Sequence, residues 1–507
     1  MASKKIEIMD TTLRDGEQMA NMAYSHSEKL NLARILLQQV KVDRIELTSA
    51  KVSPIEQEGV RKIIEHLGPS RKFEILGFVD NHQSLKWIHD SGVEVINLLT
   101  KGSLKHLTKQ LKKKPEEHVA DILKELEEAQ RLSMDVNVYL EDWSNGMLDS
   151  KDYVFYLIES LAGKVKRIML PDTLGALNPK LTAQFVGETR KRFPELWFDF
   201  HPHNDYGLGT ANCLAAVEAG ADGLHVTING MGERAGNAPL EEVVVAIKDF
   251  MGQEYETGIE ETALYQISRN VEIYSTIRMA PNKPIVGSNV FTQTAGVHAD
   301  GDKKGGLYVS RLLPERFGRV RKYALGKLSG KANLDQNLEQ MGIILSEEEK
   351  KRVLSRIIEL GDRKQMITSE DLPYIIDDVL DSKEIVKIFA IKSCVVTTSL
   401  ELKPIATILV EYNGERIQEI GSGDGGYDAF INALLKISEK MGFQIPPLVD
   451  YQVQIPPGGK TDALVQTNIT WQWEGREIKT KGVHSDQLLA AVEATEKVVN
   501  KILGWKK

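Results

Sequence analysis

The chain has 507 residues, of which 42% are apolar and 27% charged, a balance typical of folded proteins, and this length predicts two or three domains. The net charge of -8 gives no electrostatic reason to bind nucleic acid or an anionic membrane. Two cysteines, Cys213 and Cys394, are too few for a disulfide framework. No apolar stretch has the length of a membrane span, so we expect a cytoplasmic protein.

The first half of the chain alternates short apolar runs with amphipathic helical patterns. The first helix is expected to begin at Ser25, with Glu28 completing a capping box. Eight such runs predict an α/β fold with a TIM (β/α)8 barrel over residues 1–275. The alternative, an open doubly wound sheet, would have a glycine-rich phosphate turn after the first strand, and "DTTLRDGEQ" is not one. The runs are "KIEIMD", "DRIELTS", "KFEILGFV", "VEVINLL", "DVNVYLED", "RIMLPDT", "FDFHPHND" and "GLHVTING".

Two further regions follow the predicted barrel. Residues 276–385 are rich in glycine and lysine at first and helical from about residue 333, so we interpret them as a linker with functional loops. Residues 386–507 carry four strand patterns and two helical ones, which predicts a separate α+β domain.

A pair of histidines ends the seventh run. Residues i and i+2 of a strand share a face, so His201 and His203 aim at one point, and two imidazoles together suggest a metal. Asp15, at the end of the first run, is the natural third ligand because strands 7 and 1 are close in a closed barrel of eight strands. No thiolate requires zinc, so Mg²⁺, Mn²⁺, Fe²⁺, Co²⁺ and Zn²⁺ all suit the set.

Three other polar residues have a functional and a structural interpretation. Asn237, in a glycine-rich loop, could give its amide oxygen to the metal or cap the last barrel helix. Arg14 could polarise an oxygen next to the metal or pair with Glu46 or Glu141. Thr173 could hold a carboxylate or cap a helix.

The motifs "DTTLRDGEQ", "HPHND" and "NGMGERAGN", in this order, resemble the metal-dependent acyltransferases that comprise the isopropylmalate, citramalate and homocitrate synthases. The resemblance continues through "TQTAGVHADG" and "LGKLSGKANL" into the C-terminal domain and covers nearly the whole chain. Leu328 departs from it, because isopropylmalate synthases have a histidine there. The resemblance implies a Claisen condensation of acetyl-CoA with a 2-oxo acid at a divalent metal, Mg²⁺ or Mn²⁺ with Zn²⁺ as an alternative.

The resemblance also assigns roles to residues. Asp15, His201 and His203 would bind the metal, with Asn237 as a ligand or next to the ligands. Arg14 would polarise the ketone together with the metal, and Thr173 would hold the carboxylate of the acid.

The base is implied in the same way. His298, working with Glu141, would take a proton from acetyl-CoA, and Tyr308 would help to place that co-substrate. Because His298 comes from the linker, the site is expected to need a second subunit, which implies a homodimer.

The pocket for the acid is expected on strands 3, 4 and 5, which carry Leu76, Leu99 and Tyr139. Isopropylmalate synthases commonly have a serine where this chain has Tyr139, and a histidine at Asn97. This set resembles citramalate synthases, which use pyruvate. The alternative is that Tyr139 packs elsewhere and leaves the pocket open.

Four hypotheses follow. The first is formation of (R)-citramalate for isoleucine biosynthesis, and the second is formation of 2-isopropylmalate from 2-oxoisovalerate for leucine biosynthesis. A third is lyase chemistry on the same barrel, for which the two cysteines are poorly suited. A fourth is an inactive amino-acid sensor, which would have lost Arg14, a metal ligand or His298. The C-terminal domain is expected to bind a branched-chain amino acid as an effector.

Overall fold

The computed structural model describes residues 3–303, 307–362, 367, 371–380, 388–454 and 465–505. Within these ranges the chain forms two compact units, residues 1–291 with 310–320, and residues 292–309 with 321–507. The boundaries predicted at residues 275 and 385 stay predictions. No helix in the described ranges has both the length and the apolar character that crossing a membrane requires.

The first unit is a closed barrel of eight parallel strands, as the sequence predicted. Each strand pairs with the next, and β8 pairs with β1 to close the ring. The strands are β1 (Glu7–Asp10), β2 (Arg44–Ser49), β3 (Phe73–Phe78), β4 (Val95–Lys101), β5 (Asp135–Glu141), β6 (Arg167–Asp172), β7 (Phe198–Pro202) and β8 (Gly223–Val226).

Eight principal helices alternate with these strands. The predicted start of α1 is confirmed, since Ser25 and Glu28 form the full capping box. The helices are α1 (His26–Ile35), α2 (Pro54–Leu67), α3 (Gln83–Asp90), α4 (Pro115–Arg131), α5 (Lys151–Leu161), α6 (Pro179–Arg192), α7 (Gly209–Glu218) and α8 (Leu240–Ala246), followed by α9 (Leu264–Ser275).

Successive side chains along each strand point alternately outwards, into an apolar core under the helices, and inwards, into the interior of the barrel. Outward residues such as Ile8, Ile45 and Leu98 pack under the helices in one large cluster. Many of the inward-pointing side chains are polar, and they form ion pairs and hydrogen bonds. These inner polar residues are Arg44, Glu46, Glu74, Asn97, Asn137, Asp199 and His225, all of them buried.

The second unit contains a helical part and an α+β part. Its helices before residue 381 are α10 (Gly296–Lys303), α11 (Lys331–Met341), α12 (Glu347–Asp362) and α13 (Leu372–Leu380). The α+β part has two antiparallel sheets of three strands each, in the orders β9–β10–β11 and β12–β13–β14. Its elements are β9 (Phe389–Thr397), β10 (Ile405–Tyr412), β11 (Glu415–Ser422), α14 (Gly426–Met441), β12 (Leu448–Gln454), β13 (Val465–Trp473), β14 (Arg476–His484) and α15 (Gln487–Trp505).

Candidate active site

Three side chains form a cluster with the spacing of a metal site at the carboxyl end of the barrel. Asp15 follows β1, and His201 and His203 lie at the end of β7 on the same side of that strand. One ligand atom from each residue lies within 4.8 Å of the others, and all three residues are buried. Since β8 alone separates β7 from β1, closure of the barrel brings these residues together.

The hydrogen bonding of this cluster fits a cation. Among the described residues, neither carboxylate oxygen of Asp15 has a hydrogen-bond partner of good geometry, although Arg14 and His201 each approach one oxygen at 3.1 Å. The Nδ1 atoms of His201 and His203 are also buried without a partner there. Buried polar atoms are rarely left unpaired, and a divalent metal would satisfy the Asp15 carboxylate together with one ring nitrogen of each histidine.

The charges also suit a metal. Burial opposes ionisation of Asp15, but Arg14 and the contact with His201 outweigh it and lower the pKa of the carboxyl group. Burial, reinforced by His201, lowers the pKa of His203 to about 4. A carboxylate and a neutral imidazole are the forms that bind metals.

Asn237 lies beside His203, and the two residues form an isolated antiparallel bridge. Its Nδ2 donates to the carbonyl oxygen of Met231 at 3.0 Å, which leaves Oδ1 buried and without a partner in the described part of the chain. Pro239, not Asn237, is the N-cap of α8, so the capping alternative is wrong. A Cβ at Gly236 would lie 1.8 Å from the carbonyl oxygen of Gly230, so this tight loop requires glycine.

Arg14 is held from two sides. Its Nε donates to Glu46 at 2.5 Å, and one terminal nitrogen lies 3.3 Å from the hydroxyl of Tyr139. Glu46 in turn accepts from Asn97 at 2.7 Å, and Asn97 accepts from Asn137 at 2.9 Å. The predicted alternative of an Arg14–Glu46 pair is therefore present, and it fixes the guanidinium next to Asp15 instead of removing it from the site.

Tyr139 packs where the substrate pocket was predicted. It is 2% exposed and forms a small buried cluster with Leu76, Met9 and Met169, against which Leu99 also packs. Its ring is edge-on to His201, with 5.8 Å between ring centroids. Tyr139 thus packs with Leu76 and Leu99 and its hydroxyl contacts Arg14, whereas its role in a pocket for the acid stays a prediction.

Thr173 follows β6, and its hydroxyl faces the start of the segment that follows the neighbouring strand β5. The hydroxyl oxygen accepts from the backbone N–H of Asp142 at 2.9 Å, and no described residue accepts its proton. The N-cap of α6 is Asn178, so Thr173 is not the helix cap that the sequence allowed. Arg234, which the sequence analysis did not single out, donates to the carbonyl oxygen of Thr173 at 2.8 Å and to Asp205.

Glu141 ends β5 and forms an ion pair with Lys101 at the end of β4. Lys101 is buried, and its backbone carbonyl accepts from the hydroxyl of Tyr153 at 2.8 Å. Lys101 was not among the predicted site residues, although it lies at a strand end like several of those that were. Its position after the run "VEVINLL" was the available signal.

The two predicted residues outside the barrel lie together in the second unit. His298 is in α10, and its ring centroid lies 4.3 Å from that of Tyr308. Tyr308 is 45% exposed. The predicted roles of His298, Tyr308 and Glu141 stay predictions.

Neither cysteine has the character of a reactive thiol. Cys213 is fully buried in α7, and burial raises the pKa of its thiol. Burial raises the pKa of Cys394, on β9, to about 11. A thiolate is the reactive form, so both are unsuited to the cysteine chemistry of the lyase hypothesis.

Three family models match the chain in succession. The HMGL-like model matches residues 5–271, more than half of the chain. The homocitrate synthase post-HMGL domain-like model matches residues 285–365, and the LeuA allosteric (dimerisation) domain model matches residues 366–503.

Two similar proteins come from Methanocaldococcus jannaschii. A 2-isopropylmalate synthase is 34% identical, and the match covers 98% of this chain and 95% of the relative. An (R)-citramalate synthase is 33% identical, with 98% of this chain and 99% of the relative covered. The two identities are too close to separate the two activities. The chain belongs to the family of the 2-isopropylmalate and (R)-citramalate synthases, with an HMGL-like barrel as its first domain.

Proposed function

We propose that this chain condenses acetyl-CoA with pyruvate and water to give (R)-citramalate and CoA. One observation carries the proposal: the metal-type cluster, Arg14 and the buried Tyr139 meet at one end of the barrel. The charge of Arg14 beside the apolar side chains around Tyr139 supports a short 2-oxo acid as the substrate.

A divalent metal held by Asp15, His201 and His203, with Asn237 beside them, would supply Lewis acidity to the ketone. Mg²⁺ or Mn²⁺ is the proposed ion, with Zn²⁺ as an alternative. Arg14 would donate to the ketone oxygen and stabilise the negative charge that develops there during attack. Ion pairs with Glu46 and Asp15 outweigh burial and raise the pKa of Arg14, so this donor stays charged.

The other end of the acid would be held by Thr173. Its hydroxyl oxygen already accepts from a backbone N–H, so its proton is available to a carboxylate oxygen. The methyl group of pyruvate would face Leu76, Leu99 and Tyr139. The isopropyl group of 2-oxoisovalerate would need the space that the Tyr139 ring occupies.

Proton removal from the methyl group of acetyl-CoA is assigned to His298 with Glu141. Histidine suits this task because its unperturbed pKa is near neutral. Tyr308, in ring contact with His298, would help to place acetyl-CoA. The resulting carbanion attacks the ketone carbon, and water then hydrolyses the thioester and releases CoA.

The oligomeric state and the regulation of the enzyme complete the proposal. The match of residues 366–503 to the LeuA allosteric (dimerisation) domain supports a homodimer and a branched-chain amino acid effector.

The four hypotheses from the sequence thus reduce to two. Arg14, the metal cluster and His298 are all present, so an inactive sensor has no support.

Formation of 2-isopropylmalate is the second candidate, favoured by the relative of that name at 34% identity. Release of the CoA thiol with Mg²⁺ or Mn²⁺ and acetyl-CoA separates the two. We expect turnover with pyruvate to exceed that with 2-oxoisovalerate, because one or two extra methyl groups cost about 1–3 kcal/mol each and Tyr139 adds steric exclusion. Preference for 2-oxoisovalerate would replace our assignment with the leucine pathway.

A further inference from the structure

We propose that His225, in the interior of the barrel on β8, is a positioning residue that fixes the Tyr139 hydroxyl and thereby sets the preference for a short 2-oxo acid. The inference deepens the proposed function and rests on it. Neither the motifs nor the family match assigns a role to His225, which lies below the metal cluster.

A continuous line of hydrogen-bonding groups runs through His225. Its Nδ1 lies 2.9 Å from the hydroxyl oxygen of Tyr139, and its Nε2 lies 3.2 Å from Oδ2 of Asp199. The Tyr139 hydroxyl lies 3.3 Å from a terminal nitrogen of Arg14. All four residues are buried, and His225 and Asp199 have no exposed surface.

One arrangement of protons satisfies the whole line. Asp199 forms an ion pair with Arg44 at 2.5 Å, so its carboxylate accepts the hydrogen bond from His225. Arg14 can only donate, so the phenol oxygen of Tyr139 accepts from it and offers its own proton to His225, whose single ring proton is then left for Asp199. That proton must lie on Nε2, facing Asp199, and Nδ1 must accept from the Tyr139 hydroxyl.

The direction of this hydrogen bond matters for Arg14. Because the Tyr139 proton points at His225, the lone pairs of the phenol oxygen face the guanidinium. Arg14 thus keeps an acceptor beside it, in addition to Glu46. Asp199 therefore acts on Arg14 through two intervening side chains.

The same bond limits the position of the Tyr139 ring. The ring packs with Leu76 and Leu99 on one side and meets His225 edge-on, with 5.4 Å between centroids. Without an acceptor at position 225, the buried phenol hydroxyl would lose its partner and the ring would move towards another one. Movement of that ring would open the space that we assign to the exclusion of larger acids.

Removal of the His225 side chain should leave Asp199 with other hydrogen-bond and ion-pair partners. Asp199 keeps its ion pair with Arg44 at 2.5 Å and its bond from Trp197 at 2.9 Å when the imidazole is absent. His225→Phe therefore keeps an aromatic ring in place and does not leave the carboxylate without partners. His225→Asn has an amide oxygen near the position of Nδ1 and retains an acceptor for Tyr139.

The test compares pyruvate with 2-oxobutyrate, which is longer by one methylene group. We expect His225→Phe to lower the ratio of the two kcat/KM values about tenfold, with the KM for acetyl-CoA unchanged, because one buried hydrogen bond is lost. The KM for pyruvate should rise because Tyr139 is displaced. The kcat should fall because Arg14 loses the acceptor beside it. His225→Asn should restore most of the ratio. An unchanged ratio in His225→Phe, or equal losses in both variants, would overturn the inference.

Coupling to Tyr139 is the sharper measurement. Tyr139→Phe removes the same hydrogen bond from the other side, so the double variant with His225→Phe should be no worse than the poorer single variant. Additive effects would show that His225 acts by another route. His118→Gln, which alters a buried histidine packed outside the barrel, is the matched control and should leave the substrate ratio unchanged.

A readout without turnover separates this inference from the proposed function. The same two variants and their double, compared by thermal unfolding without substrates, should show a non-additive change in Tm, since they share one bond. If the wild type releases no CoA with either acid but the unfolding cycle is non-additive, the proposed function fails and the hydrogen-bonded line stands. If turnover is seen and the unfolding cycle is additive, the line fails alone.

Discussion

The metal-type cluster brings Asp15, His201 and His203 close together, but these residues do not fulfil one another's hydrogen-bonding capacity. Several of their oxygen and nitrogen atoms have no partner in the described part of the chain and almost no access to water. Such an arrangement costs stability unless a cation occupies it.

Replacement of His203 tests that statement. We expect His203→Ala to abolish stoichiometric binding of Mn²⁺ and to reduce kcat by about a hundredfold or more, since even residues next to metal ligands contribute factors of this size. Metal content by mass spectrometry and CoA release would be measured together. The surface variant His66→Ala controls for loss of a histidine, and full activity of His203→Ala after chelation would refute the metal assignment.

Thr173 tests how the acid is held. We expect Thr173→Val to raise the KM for pyruvate about thirtyfold, because a hydrogen bond to a charged group contributes about 2 kcal/mol. Thr173→Ser should recover most of the loss. Thr182→Val, which removes a buried hydroxyl with no partner among the described residues, should change KM little. A normal KM in Thr173→Val would mean that another group holds the carboxylate.

Residues at strand ends could be predicted from the sequence, whereas the hydrogen-bonded network around His225 inside the barrel could not. Asp15, His201 and Thr173 follow apolar runs, so the parallel barrel alone brings them to one end. His225 lies within a run, where a polar residue has no visible partner in the sequence. Its contacts with Tyr139 and Asp199 depend on three strands distant in the chain and on the register that closure imposes.

At the scale of elements, α4 packs on the barrel through a buried histidine. His118 is 1% exposed and its Nε2 accepts from the backbone N–H of Lys101, at the end of β4, at 3.1 Å. Burial, reinforced by the charge of Lys113, lowers the pKa of His118 to about 4. The contact thus requires a neutral imidazole.

A dependence of stability on pH follows. The unfolded chain takes up a proton at this histidine below about pH 6.5, and the folded chain does not until pH 4, so stability falls as the pH is lowered between these values. We expect His118 to account for a loss of about 2 kcal/mol between pH 7 and pH 5. Urea unfolding of His118→Gln at both values should show a smaller loss than the wild type. An equal loss would show that other groups dominate.

The strands of the second unit show which sequence patterns do not reveal a strand. β9, β10, β12 and β13 were predicted, whereas β11 and β14 were missed. Both missed strands are rich in charged and polar residues, as in "ERIQEIGS" and "REIKTKGVH". Their pairing with an apolar neighbour provides the stability that their own composition does not predict.

At the scale of the whole chain, the proposed effector role of the C-terminal domain gives a direct test. We expect a chain that ends near residue 385 to lose inhibition by isoleucine or leucine, whereas the full chain is inhibited. Effector and substrate affinities must change reciprocally in the full chain, which calorimetry with and without acetyl-CoA would measure. A shortened chain that stayed active and still responded would place the effector elsewhere.

The polar interior of the barrel has a kinetic consequence. Arg44, Glu74 and Asp199 are buried inside the barrel and joined by ion pairs, in keeping with the packed interior of a TIM barrel, which is not a pore. Both reactants of the proposed reaction would therefore enter from the carboxyl end of the barrel. In the proposed function the small acid would bind next to Tyr139, at the bottom of the opening at that end, so we expect it to enter before the larger CoA thioester and CoA to leave before the new acid. Product inhibition of such a site would follow an ordered pattern.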